Sequence, residues 1–151
     1  MKKHNSKNSL FTRVHLPTSA ALVWEVLMDF EAYGQWNPFV VAISGQAKVG
    51  QTLRVDLQLD AGKPMRMQPV VVAVEPEQLF EWQGSLGIKG LFDGRHRFAV
   101  VPHADGSCTL EHSETFSGWL VPLVWPLIAH KTKKGFEAMN AALAERVGVR
   151  Q

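Results

Sequence analysis

The chain has 151 residues, of which 46% are hydrophobic and 20% charged, with a formal net charge of +2. This is enough apolar material for one globular domain with a real core, and it excludes a disordered chain. So small a charge, with no stripe of lysines and arginines interleaved with aromatics, argues against a nucleic-acid groove.

Cys108 is the only cysteine, so neither an internal disulfide nor a thiolate zinc site can form. Next to a turn, it is expected to face outward as a bystander. Residues 1–9 are polar and basic with no apolar run behind them, so a flexible tail is expected there and not a secretory signal. No stretch approaches the length of a membrane span. A cytoplasmic protein without stable membrane insertion is expected, its single domain covering residues 10–148.

Leu10–Leu16 is a predicted strand, with Leu10, Thr12, Val14 and Leu16 on one side. Pro17-Thr18 opens a helix capped by Thr18 or Ser19, and Ala20, Val23, Trp24 and Leu27 form its buried stripe. A second short helix runs from Asp29 to about Trp36, where Asn37-Pro38 stops it. Phe39–Ser44 and Gln51–Asp60 read as strands, the latter with Leu53, Val55, Leu57 and Leu59 facing one way. Met65–Glu75 is another strand, interrupted by Pro69, which cannot donate to a ladder and so brings a bulge or an edge. Leu79–Gly84 follows, with Phe80 and Trp82 inward and Glu81 and Gln83 outward.

The most informative stretch is a hairpin, roughly Leu91–Val101 and Cys108–Phe116. Ala104-Asp105-Gly106 fits a three-residue loop, a type I turn followed by a left-handed glycine. That loop sets Val100 opposite Leu110, Phe98 opposite His112 and His96 opposite Glu114. The face with Phe98 and Phe116 points inward, because arginine is rarely buried unpaired and Arg95 and Arg97 hold the other parity. Three ionisable groups, His96, His112 and Glu114, therefore lie on an apolar face. Opposed side chains have Cβ atoms about 5 Å apart, within reach of an imidazole–carboxylate hydrogen bond.

The last element is a helix from about Leu120 to Val147. With Phe136 at the centre, Val121, Trp125, Ile128, Ala129, Thr132, Met139, Leu143 and Val147 share one stripe. The first third, with Leu123, Val124 and Leu127 off that stripe, is apolar nearly all round. It can serve as a portal, touch a membrane transiently, bury itself in a homodimer, or be a plain buried helix start.

A strand, two short helices, a run of antiparallel strands and a long last helix together resemble the helix-grip fold of the START-like (SRPBCC) superfamily, which includes polyketide cyclase/dehydrase-like proteins. The residues that carry the resemblance are Pro17-Thr18, Val23-Trp24, Asp29-Phe30 and Trp36-Asn37-Pro38, then Leu79-Phe80-Glu81-Trp82, the stretch from Gly90 to Phe98, and Glu114-Thr115-Phe116-Ser117-Gly118. It implies an α+β class fold, a curved antiparallel sheet of about seven strands wrapped on the last helix, with an apolar cavity between them. It also implies a hydrophobic small-molecule partner of lipid, quinone or polyketide type.

The expected ligand-binding set is Trp36, Phe39, Trp82, His96, Phe98, His112, Glu114, Phe116, Trp125, Ile128 and Thr132. In a ligand pocket the His96/His112/Glu114 cluster is a polar floor. As a purely structural feature it fixes strand register. If a substrate reacts, as in a cyclase or dehydratase, His96 polarised by Glu114 is the candidate acid–base pair. Two histidines and a carboxylate also admit a facial metal triad, but the diagonal placement of the third ligand argues against it, so neither metal nor cofactor is expected. A co-chaperone-like interaction module is the remaining alternative. A monomer and a homodimer are equally compatible with the sequence.

Overall fold

The computed structural model describes residues 8–149. In chain order its elements are β1 (Ser9–Leu16), α1 (Ala20–Met28), a 3₁₀ turn (Phe30–Ala32), α2 (Tyr33–Trp36), β2 (Val40–Ser44), β3 (Arg54–Leu57), β4 (Met65–Met67), β5 (Val70–Glu75), β6 (Leu79–Ser85), β7 (Asp93–Pro102), β8 (Cys108–Ser117) and α3 (Val121–Val149). Ser9 already belongs to β1; of the expected N-terminal tail, residues 1–7 lie outside the described residues.

The strands form a five-stranded antiparallel sheet, β1-β8-β7-β6-β5, and a three-stranded one, β2-β3-β4. The single strand expected over Met65–Glu75 is two strands in two sheets. Pro69 has no N–H to continue a ladder, while its carbonyl accepts from the Leu53 N–H at 2.8 Å, and a Thr52–Val70 bridge ties the sheets together there. Of Gln51–Asp60 only Arg54–Leu57 pairs as a strand, yet Leu53, Val55 and Leu57 are all buried, as their alternation requires.

Local chemistry places the ends. Ser19 caps α1, its hydroxyl accepting from the Leu22 N–H at 3.2 Å. Asn37 ends α2, and its Oδ1 accepts from the N–H groups of Phe39 and Val40 at 2.9 and 2.8 Å, which turns the chain into β2.

The β7–β8 turn is the three-residue loop the sequence predicts. The His103 N–H donates to the Ser107 carbonyl at 2.8 Å, and Gly106 has φ +89°. His96 pairs with Glu114, Phe98 with His112 and Val100 with Leu110. Cys108 corrects the expectation of an outward bystander. It shares the parity of Leu110, sits between Leu16 and Pro102 in the ladder and is fully buried, which raises its thiol pKa.

α3 lies over the inner face, packed on β1 and β8. Val121, Thr132, Phe136, Met139, Leu143 and Val147 are buried along it. Its first third is one-sided, not buried all round: Leu123 and Leu127, with Trp119 just before the helix, are exposed at four-residue spacing. Among the described residues no helix is long and apolar enough to cross a membrane.

Candidate functional site

β7 and β8 bring His96, His112 and Glu114 onto the inner face, and α3 closes over them. His112 is clamped between two rings, with Phe98 and Phe136 centroids 4.6 and 4.0 Å from its own and ring planes tilted 29° and 15° to it. His96 packs against Trp82 at 4.7 Å. Both imidazoles are essentially sealed from solvent.

These groups form one continuous polar chain. His96 Nε2 and His112 Nε2 are 2.7 Å apart, His112 Nδ1 is 2.9 Å from Asn140 Oδ1, and the Asn140 amide nitrogen donates to Thr12 Oγ1 at 2.9 Å. The Thr12 hydroxyl in turn donates to the His112 carbonyl at 2.8 Å. At the other end, Glu114 Oε2 lies 3.5 Å from His96 Nδ1. The direct imidazole contact is thus the diagonal one, His96 to His112, and the directly opposed Glu114 is the looser neighbour.

Counting donors orients the chain. Thr12 has one proton, and a carbonyl can only accept, so that proton goes to the His112 carbonyl. Asn140 must then present its NH₂ to Thr12 and its oxygen to His112. His112 therefore carries its proton on Nδ1 and offers a bare Nε2. His96 supplies the proton for that contact from its Nε2, which leaves its Nδ1 bare and facing Glu114.

Glu114 and His96 lie within ion-pair distance, but their surroundings oppose ionisation. Burial pushes the Glu114 carboxyl up to about 8 and the His96 imidazole down to about 3. Burial also holds His112 well below its ordinary value, helped by neighbouring His96 and opposed by its bond to Asn140. At neutral pH the contact is one between a carboxylic acid and a neutral imidazole.

A cavity of about 50 Å³ lies on the open side of Glu114. Its wall is apolar, from Phe39, Leu57, Leu59, Met65, Met67, Phe92, Phe116 and Ile128, with Ser85, Thr132 and Glu114 as its polar side chains. Two glycines make the room. Gly84 and Gly94 face each other across β6 and β7. A Cβ on Gly94 would fall 3.0 Å from Glu114 Oε1, and one on Gly84 would collide with Met67 Cε. Met67, Gly84, Ser85 and Leu86 also border a surface groove of about 730 Å³, so they stand between the cavity and the outside.

Of the expected binding set, Phe39, Glu114, Phe116, Ile128 and Thr132 stand on the cavity wall. His96, His112, Trp82 and Phe98 form the packed layer behind it. Trp125 packs edge-on against Phe116 at 5.2 Å, and Trp36 stands beside Tyr33 in α2. Sequence reasoning passed over Asn140, although at four residues from Phe136 it lies within the buried stripe, where a polar residue signals a partner. It also passed over Gly84 and Gly94, whose meeting depends on the β6–β7 register. Among the described residues no three His, Cys, Asp or Glu side chains converge on a point where a metal ion could sit.

Residues 9–148 match a family model described as polyketide cyclase / dehydrase and lipid transport. No curated protein matches the chain. Among solved structures, a START superfamily protein from Mycobacterium smegmatis superposes with a TM-score of 0.76 at 22% identity, covering 95% of this chain and 99% of that one. An aromatase/cyclase from Streptomyces sp. R1128 gives 0.75 at 15% identity over 94% of each chain. Norcoclaurine synthase from Thalictrum flavum, as a point mutant with a transition-state analogue, gives 0.72 at 22% identity, again over 94% of each. At these identities the likeness is one of fold.

Proposed function

The chain belongs to the polyketide cyclase / dehydrase and lipid transport family, and from that premise we propose that it binds a hydrophobic small molecule, of lipid, quinone or polyketide type, in the cavity between the sheet and α3. The observation that carries this reading is an apolar cavity with one carboxyl on its wall, the usual make-up of a small-molecule site. At about 50 Å³ the cavity holds a few waters at most, so loading requires the wall to give way. Met65, Met67 and Leu86 are the yielding parts. Methionine is unbranched and repacks easily, and Met67 fills the space above Gly84 on the boundary with the outer groove. A cytoplasmic setting belongs to the same proposal.

A second reading, a cyclase- or dehydratase-like enzyme, is favoured by a specific observation. The carboxyl on the wall is backed by an imidazole, and its pKa of about 8 lies near the operating pH of a general acid or base. In that reading Glu114 touches the substrate and His96 acts through it.

Native mass spectrometry of the protein purified from its own host tests the binding reading. The expected spectrum carries a non-covalent adduct of small-molecule mass that is released on activation. Bare protein, together with no heat of binding for any apolar aromatic probe, would refute it.

A further inference from the structure

The polar chain behind the cavity does more than satisfy buried groups, because it has a direction. The direction is set at its far end, by the single proton of Thr12 committed to the His112 carbonyl at 2.8 Å. Each later link follows: Asn140 gives to Thr12, His112 gives to Asn140, and His96 gives to His112. The last nitrogen, His96 Nδ1, is left as an acceptor, and Glu114 Oε2 lies 3.5 Å from it. The Glu114 proton therefore belongs on Oε2, turned away from the cavity toward His96. Oε1 lies against Gly94, itself part of the cavity wall, and is left as a carbonyl oxygen that can only accept.

We infer that Glu114 selects for an uncharged ligand carrying a hydroxyl, a phenol or an alcohol, which donates to Glu114 Oε1, and that the site disfavours both acceptor-only analogues and carboxylates. This rests on the reading that the cavity binds an apolar molecule. An ether or ketone oxygen would set a lone pair against a lone pair, and a carboxylate would bring a charge into an apolar wall. Among the described lining residues none is Lys or Arg, so nothing there pairs that charge. The Thr132 hydroxyl can serve another part of a ligand, but it can donate as well as accept, so it imposes no direction, and the Ser85 hydroxyl already donates to the Asp93 carboxylate.

The test is calorimetric titration with naphthol, methoxynaphthalene and naphthoate, substituted at the same ring position, at mildly acidic pH. Naphthol is expected to bind the wild-type protein roughly three- to tenfold more tightly than its methyl ether, the range one neutral hydrogen bond supplies. Naphthoate is expected to bind weakest. Glu114→Gln should keep the preference, because its NH₂ can donate to His96 Nδ1 and its oxygen still accepts from the ligand. Glu114→Met should bind naphthol and the ether alike. Equal affinities in the wild type, a tighter ether, or a loss of preference in Glu114→Gln would overturn the selection and leave the binding reading standing. If none of the three probes binds, the binding reading falls and the selection with it.

Discussion

The two faces of the β7–β8 hairpin carry similar residues to opposite ends. On the inner face Glu114 meets His96, and the chain continues through His112 and Asn140 to Thr12, these last four all buried. On the outer face, one residue along, Glu81 of β6 takes Arg95 Nε at 2.7 Å and Arg97 Nε at 3.2 Å, and Arg97 also reaches Glu111. Glu81 and Glu114 are both largely shielded from water. What separates them is the neighbour. Guanidiniums keep their charge in any setting, so the outer carboxylate is paired. Imidazoles shed theirs on burial, so Glu114 has no cation beside it to offset the burial that raises its pKa. Strand parity thus assigns the partners, two guanidiniums to Glu81 and one imidazole to Glu114.

The largest way to sharpen that contrast is to cut the inner chain at Asn140, which is buried although it borders a surface groove with Thr12. Asn140→Leu removes the acceptor for His112 Nδ1–H and the donor to Thr12, stranding two buried groups. We expect a loss of about 2–4 kcal/mol, the cost of unsatisfied buried polar groups in a shared network. Urea denaturation measures it. A loss under about 0.5 kcal/mol would mean that water replaces the amide and that the inner face is not dry.

How much of this was legible beforehand follows from where each fact is encoded. The hairpin register was, because a short Ala-Asp-Gly loop fixes its own length and so fixes which residues oppose: His96 and Glu114 could be paired on paper. The inward face was, because Arg95 and Arg97 exclude the alternative. The role of Asn140 was not, since its partner lies 28 residues away on β8 and the contact depends on how α3 is seated. A cavity between sheet and helix was implied by the family resemblance, but its place was not legible, since it exists where Gly84 meets Gly94, and the Leu86–Phe92 link between β6 and β7 gives no register of its own. Cys108 was legible and misplaced, because its parity is that of Leu110.

A smaller effect separates the faces by pH. The native protein holds the Glu114 proton to about 8, whereas an unfolded chain releases it near 4.5. Between those values the native state binds the extra proton, so this group's contribution to stability falls as pH rises and is lost by about pH 8. His96 works the other way. Its native value of about 3 lies below the ordinary 6.5, so stability falls as pH drops through that window, and His112 acts in the same direction. The two histidine contributions oppose it near pH 6.5 and fade above about pH 7, so between about pH 7 and 8 the Glu114 effect dominates, at up to about 1.4 kcal/mol per pH unit. Glu114→Gln should flatten the Tm profile over that interval. A wild-type Tm that already stays level from about pH 7 to 8 would mean that Glu114 is ionised in the native protein.

The smallest expected effect is on the outer face, and it is needed to complete the comparison. Arg97 is about a third exposed, and after Arg97→Ala the Glu81 carboxylate still has Arg95. Partly exposed pairs of this kind contribute about 0–1 kcal/mol and are screened by salt. The variant should therefore lose no more than about 1 kcal/mol in urea, and moderate salt should halve the difference. Asn140→Leu should be indifferent to the same salt, because its missing partners are neutral and enclosed. Should Arg97→Ala cost as much as Asn140→Leu, with no salt dependence, then the Arg97–Glu81 pair would be as closed to water and ions as the inner chain. The outer arginines would then be structural members of the core and not its wet margin.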